Sequence, residues 1–189
     1  MKKQFFIVFL LTGMVACTPK GEPGSAGNPA DQPEVAQGTE TLEGDHYTYQ
    51  TATYSIQYPA DWKLDRTSSS EVEFQLFSPL SSPDDKFSEN VNLLIQDFRG
   101  QPVKTLDQYV ELSESQILIM LTDSKLQLSE RKQKNGREYH RIEFTSTRGE
   151  YKLKQIQYYY FENQIAYALT FTCELSEYDR YRETGMGVL

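Results

Sequence analysis

The chain has 189 residues, a formal net charge of -8 and two cysteines. An acidic chain without a Lys/Arg stripe repels phosphate backbones and anionic lipid, so nucleic acid is a poor partner and electrostatic adhesion to a membrane is disfavoured. Two cysteines cannot build a disulfide framework, so the fold must rest on an apolar core, which a chain of this length can supply.

Residues 1–16 open with Met1-Lys2-Lys3 and continue as an apolar run to Ala16. A basic start, a short apolar run and a small residue before a cleavage point make a secretory signal. The run falls well short of the ~20 residues that cross a bilayer as a helix. Because Cys17 follows Val15-Ala16 directly, the segment resembles a bacterial lipoprotein signal, although Met14 stands where Leu is commonest. The resemblance implies cleavage before Cys17, its acylation, and a membrane anchor of more than one chain. Thr18, where an Asp would resemble an inner-membrane retention signal, favours an outer-membrane destination if the host has one.

Residues 17–45 carry the expected lipidated Cys and a tether. Pro, Gly and small polar residues dominate there, and such a segment cannot bury enough surface to offset its ordering entropy. Residues 46–189 are rich in Tyr, Phe, Ile and Leu and suit one domain. Period-two alternation predicts strands around Tyr54–Tyr58 and Val72–Leu76, at 91–98 with both faces apolar, and around Lys125–Ser129. The Asn135-Gly136 turn leads into another at Glu138–Thr145, and two long strands follow at about 151–161 and 164–173. Thr105-Leu-Asp-Gln108 reads as a capping box, followed by a helix with Leu106, Tyr109, Val110, Ile117, Met120 and Leu121 on one face. A second helix starts near Ser176–Asp179, with Tyr178, Tyr181 and Leu189 on its buried side. Strands, a helix, four strands and a helix make an α+β domain: an antiparallel sheet with helices on its faces.

Tyr54-Ser-Ile-Gln-Tyr-Pro-Ala-Asp-Trp62, Asn90-Val-Asn-Leu-Leu-Ile95, Leu106-Asp-Gln-Tyr109, the late Tyr158–Phe171 hairpin and Tyr178-Asp-Arg-Tyr181 together resemble PsbP-like domains. The resemblance spans nearly all of 46–189 and implies an α/β/α sandwich. It implies a non-enzymatic role, since relatives mostly bind or scaffold protein partners. The Ser-Phe pair that usually ends the family's last helix is missing, so an incomplete final helix is expected.

The two histidines, His46 and His140, are the only His bases, and neither belongs to a nucleophile motif. No spacing gathers the ligands of a zinc site, and no glycine-rich loop cradles phosphate. The sequence therefore predicts no catalytic residue, metal or cofactor. Cys173 sits on an apolar strand face and reads as a buried small hydrophobe. Partner-binding candidates are Trp62, Tyr158, Tyr159 and Tyr160, because aromatic side chains, 13% of the chain, dominate partner contacts as well as cores. The expected function is a lipid-anchored cell-envelope protein that binds or scaffolds another envelope protein. The alternatives are a small apolar-ligand or lipid binder and, with least support, a hydrolase.

Overall fold

The computed structural model describes residues 38–66 and 72–189. Seven antiparallel strands form the main sheet: β4 (Lys63–Asp65), β5 (Val72–Phe77), β6 (Asn90–Asp97), β7 (Thr122–Lys134), β8 (Arg137–Arg148), β9 (Tyr151–Glu162) and β10 (Ile165–Glu174). Their spatial order is β4-β5-β6-β10-β9-β8-β7. A small meander of β1 (Thr39–Glu43), β2 (His46–Gln50) and β3 (Ser55–Pro59) forms a second sheet. Helix α1 (Leu106–Met120) covers one face of the main sheet, while α2 (Tyr178–Val188) and the meander cover part of the other.

Local chemistry explains the turns and caps. Asn135 and Gly136 both adopt positive φ, and Lys134 pairs with Arg137 across them, which is the tight turn the dipeptide favours. Thr105 caps α1 by accepting from the Gln108 amide at 3.3 Å, but the Gln108 carboxamide reaches the Lys104 amide at 2.6 Å, one residue beyond a reciprocal capping box. A Cβ on Gly185 would lie 2.4 Å from the Phe171 ring, so glycine lets α2 sit directly on β10.

Both faces of β6 are apolar because both are covered. Leu94 faces α1 together with Tyr109, Ile117, Phe144 and Tyr159. Val91 and Leu93 face the meander and α2 together with Tyr58, Trp62, Phe74 and Phe171.

Three sequence expectations need correction. Strand β1 lies in the stretch before His46 that the sequence reads as tether, and it pairs along its whole length with β2 although none of its side chains is buried. Backbone pairing, with Tyr58 donating to the Glu40 carboxylate, holds this strand without an apolar pattern to reveal it. Met120, placed on the buried face of α1, is exposed, because the helix ends there as the chain turns into the edge strand β7. Tyr178 and Leu189 are only partly buried, and the inward side of α2 is Tyr181, Gly185 and Val188.

Candidate functional site

The run Tyr158-Tyr159-Tyr160 lies on β9, where successive side chains point to opposite faces. Tyr159 points to α1 and is 1% exposed. Its ring stands edge-on to Tyr109 at 5.1 Å and its hydroxyl donates to Gln157. Burial pushes its phenol far up, so it stays protonated, and no partner can reach it in the folded domain.

Tyr158 and Tyr160 point the other way and remain half-buried. Tyr139 on β8 packs against both, with ring centroids 5.1 and 5.5 Å away. Tyr167 on β10 pairs with Tyr160. The four rings pave the β8–β9–β10 part of a sheet face whose β4–β5–β6 part lies under the meander. Burial also raises the Tyr158 and Tyr160 phenols, which therefore offer neutral O–H groups and broad rings rather than phenolate nucleophiles.

The same face carries a charged network toward the other end of the strands. Lys154 is buried, donates to Glu143 at 2.6 Å and to Gln127, and lies 5.5 Å over the Tyr178 ring. Arg141 donates to the other oxygen of Glu143. Burial alone would raise the Glu143 pKa, but Lys154 and Arg141 outweigh it and hold the carboxyl below its usual range. This network ties β7, β8 and β9 together and stiffens the base of the Tyr platform.

Trp62 lies elsewhere. The Trp62 amide bonds the Pro59 carbonyl at 3.0 Å, and the ring is 5% exposed, edge-on to Tyr181 at 6.4 Å. It contributes an edge to an open cleft of about 580 Å³ whose walls include Asp45, His46, Asp61, Arg180 and Thr184. The structure thus brings Tyr158 and Tyr160 together, sends Tyr159 into the core and leaves Trp62 at a separate charged cleft. Cys17 lies outside the described residues.

One cluster resembles catalytic machinery by composition. Ser129 donates to Glu114, and His140 Nε2 lies 2.8 Å from the same hydroxyl. With the serine proton directed at the carboxylate, His140 must donate through Nε2, which leaves Nδ1 as an acceptor, buried without a partner. A catalytic triad needs the reverse order, with the acid on Nδ1 and Nε2 free to take the serine proton. Burial, then the Arg131 charge, lowers the His140 pKa and keeps the ring neutral. Cys173 is fully buried, and burial followed by the charge of Glu89 pushes its thiol up to about 12, far from a reactive thiolate. Among the described residues no three His, Cys, Asp or Glu side chains group as a metal site, and no helix is long and apolar enough to cross a membrane.

No family model matches the sequence, and no curated protein matches it. Solved structures do. The fold is PsbP-like. Cyanobacterial PsbP from Synechocystis sp. PCC 6803 superposes with a TM-score of 0.53 at 14% identity, covering 87% of this chain and 94% of that one. LpqN of Mycobacterium tuberculosis, described as involved in cell envelope biogenesis, gives 0.55 at 12% identity, covering 80% and 87%. A Pseudomonas aeruginosa protein of unknown function gives 0.50 at 14% identity, covering 77% and 96%. At these identities the likeness is one of fold.

Tyr139, Tyr167 and the Arg141–Glu143–Lys154 network were missed by sequence reasoning. The β8–β9 turn at Gly149-Glu150 held the signal for Tyr139: Arg148 pairs with Tyr151 across it, and that register sets Tyr139 beside Tyr158 and Tyr160.

Proposed function

We propose that this protein is a non-enzymatic cell-envelope lipoprotein, anchored through acylated Cys17, whose domain docks a partner protein on the Tyr139–Tyr158–Tyr160–Tyr167 platform. The observation that carries the reading is this set of four rings, partly exposed on one sheet face. Tyrosines supply large contact area with little side-chain entropy to lose, and the neutral hydroxyls supply hydrogen bonds at the rim. The lipoprotein-like signal, the PsbP-like fold and the likeness to an envelope-biogenesis protein support the setting.

The test is crosslinking of the full-length protein in its own cells, followed by identification of what is joined to it. One dominant envelope protein is expected, reduced about tenfold by Tyr139→Ala with Tyr160→Ala, as for truncated interface anchors, and dependent on Cys17. A partner retained at full yield by the double variant would refute the platform. Unchanged membrane association of Cys17→Ala would refute the anchor and leave the docking claim to the double variant. The charged walls of the Trp62 cleft do not favour an apolar ligand.

A further inference from the structure

Six large apolar side chains are exposed among the described residues, and five of them, Leu80, Leu118, Ile119, Met120 and Leu175, lie toward one end of the main sheet, spread from β5 to β7. Strand register fixes that placement. β5 ends at Phe77 opposite Asn90, where β6 begins, and Leu80 follows three residues later. β10 ends at Glu174 opposite Leu153, and the Leu175 amide bonds the Lys152 carbonyl at 2.8 Å. β7 begins at Thr122 opposite Thr147, directly after Leu118-Ile119-Met120 closes α1. Ring contacts of Phe87 with Tyr151 at 5.2 Å and with Arg148 at 5.6 Å bind the Leu80 loop to the β8–β9 turn.

These tips are held, not loose. Asp85 accepts from the Ser81 amide and hydroxyl at 2.8 Å and from the Phe87 amide at 2.9 Å, which fixes the loop after Leu80. Ile119 is 82% exposed on a helix whose preceding residue but one, Ile117, is fully buried. Leu118, Ile119 and Met120 are consecutive and all exposed, so apolar surface at this tip is grouped rather than scattered singly.

Charge separates the two ends. At the apolar end, Asp85, Glu150, Glu174 and Glu177 crowd together, and burial with the neighbouring carboxylates raises the Glu174 pKa. Arg148, Lys86 and Lys152 are the bases there, and Asp84 and Asp123 add to the acids. At the opposite end, the loops flanking Asp97, Glu138 and Glu162 carry exposed Arg99, Lys104, Lys134 and Arg137. The chain enters the domain on that basic side. Thr39 pairs with Gln50 and, through it, Ser55. The adjoining Tyr54 packs on Phe74 and bonds Glu73, in the half of β5 nearer Asp97. The first described residues, Gly38 and Thr39, therefore lie toward the basic end, and the apolar, acidic end is the far one.

We infer that this far end is a second docking surface, for a partner protein that presents an apolar patch rimmed by Lys and Arg. A lipid surface fits less well, because the acids would face anionic headgroups, which the basic end attracts instead. A second copy would set acids against acids, a like-charge juxtaposition that disfavours it. The inference stands independently of the Tyr platform, and with it the domain can bridge two partners.

The test places a photo-crosslinking residue at Ile119 in the full-length protein in its own cells, with the same residue at Gln101, on the basic end, as control. A crosslink from 119 to one protein is expected, mapping to an apolar peptide flanked by Lys or Arg. Leu80→Ser with Leu175→Ser should reduce it about tenfold, whereas Tyr160→Ala should leave it unaltered. A crosslink to lipid, to a second copy, to an acidic peptide, equally from 101, or to nothing overturns the inference. Thermal unfolding of the purified variants must match the parent, which separates lost docking from lost folding.

Discussion

Tyr159 and Tyr160 are neighbours in sequence and opposites in environment. Tyr159 stands in a closed core under α1, edge-on to Tyr109, while Tyr160 shares a half-open face with Tyr139. The difference lies in what covers each sheet face, not in the residues. Helix α1 reaches across β9 and β8 to β7, whereas on the other face α2 lies on β10, β6 and β3. Aromatic residues on the closed side act as fold; on the half-open side they are free to act as surface.

Mutations can break this comparison. Tyr159→Ala should cost about 4 kcal/mol of unfolding free energy, the range for removing a buried ring, whereas Tyr160→Ala should cost about 1 kcal/mol. Chemical denaturation of the two variants side by side checks this, and equal losses would mean that the second face is closed. Lys154→Ala should cost about 2 kcal/mol, since it leaves the mostly buried Glu143 with Arg141 alone, and Lys154→Met should cost less because it keeps the apolar stem. Gly185→Ala should cost about 2 kcal/mol, because its Cβ would meet the Phe171 ring and push α2 off the sheet.

The smallest effect concerns pH. Glu89 is buried, accepts from Ser78 at 3.1 Å through one oxygen and has no hydrogen-bond partner for the other. Burial raises its pKa above the ordinary carboxylate value. The folded state then binds the proton more tightly than the unfolded state, so the contribution is full below the unfolded pKa and is lost as pH rises through the folded one. Glu89→Gln should therefore gain stability relative to the parent as pH rises across that window, then hold a constant advantage. Denaturation at a series of pH values checks the difference, which isolates Glu89 from carboxylates such as Asp97 that Arg99 shifts the opposite way.

Much of the fold was legible because alternation marks a strand with one buried face. β3, β5, β8 and β10 announce themselves that way, while β6 shows as a run apolar on both faces. β1 did not, because Thr-Glu-Thr-Leu-Glu buries nothing and is held by backbone pairing. β7 looked short because its last residues, Glu130 to Lys134, pair with β8 while their side chains are mostly exposed. The site was half legible. Period two separates Tyr159 from Tyr158 and Tyr160, but parity does not say which face a helix will close. The Leu118–Met120 tip hid inside an amphipathic pattern, since a helical repeat continues to suggest burial past the point where the sheet beneath it ends.

The central claim is that Tyr139 and Tyr160 form an occupied docking surface in the cell. Hydroxyl-radical footprinting of the full-length protein, purified and then in its native envelope, tests it most directly. The account predicts that Tyr139 and Tyr160 are oxidised in the purified protein and protected in the envelope, with Tyr159 protected in both. Equal oxidation of Tyr139 and Tyr160 in the two settings would contradict it.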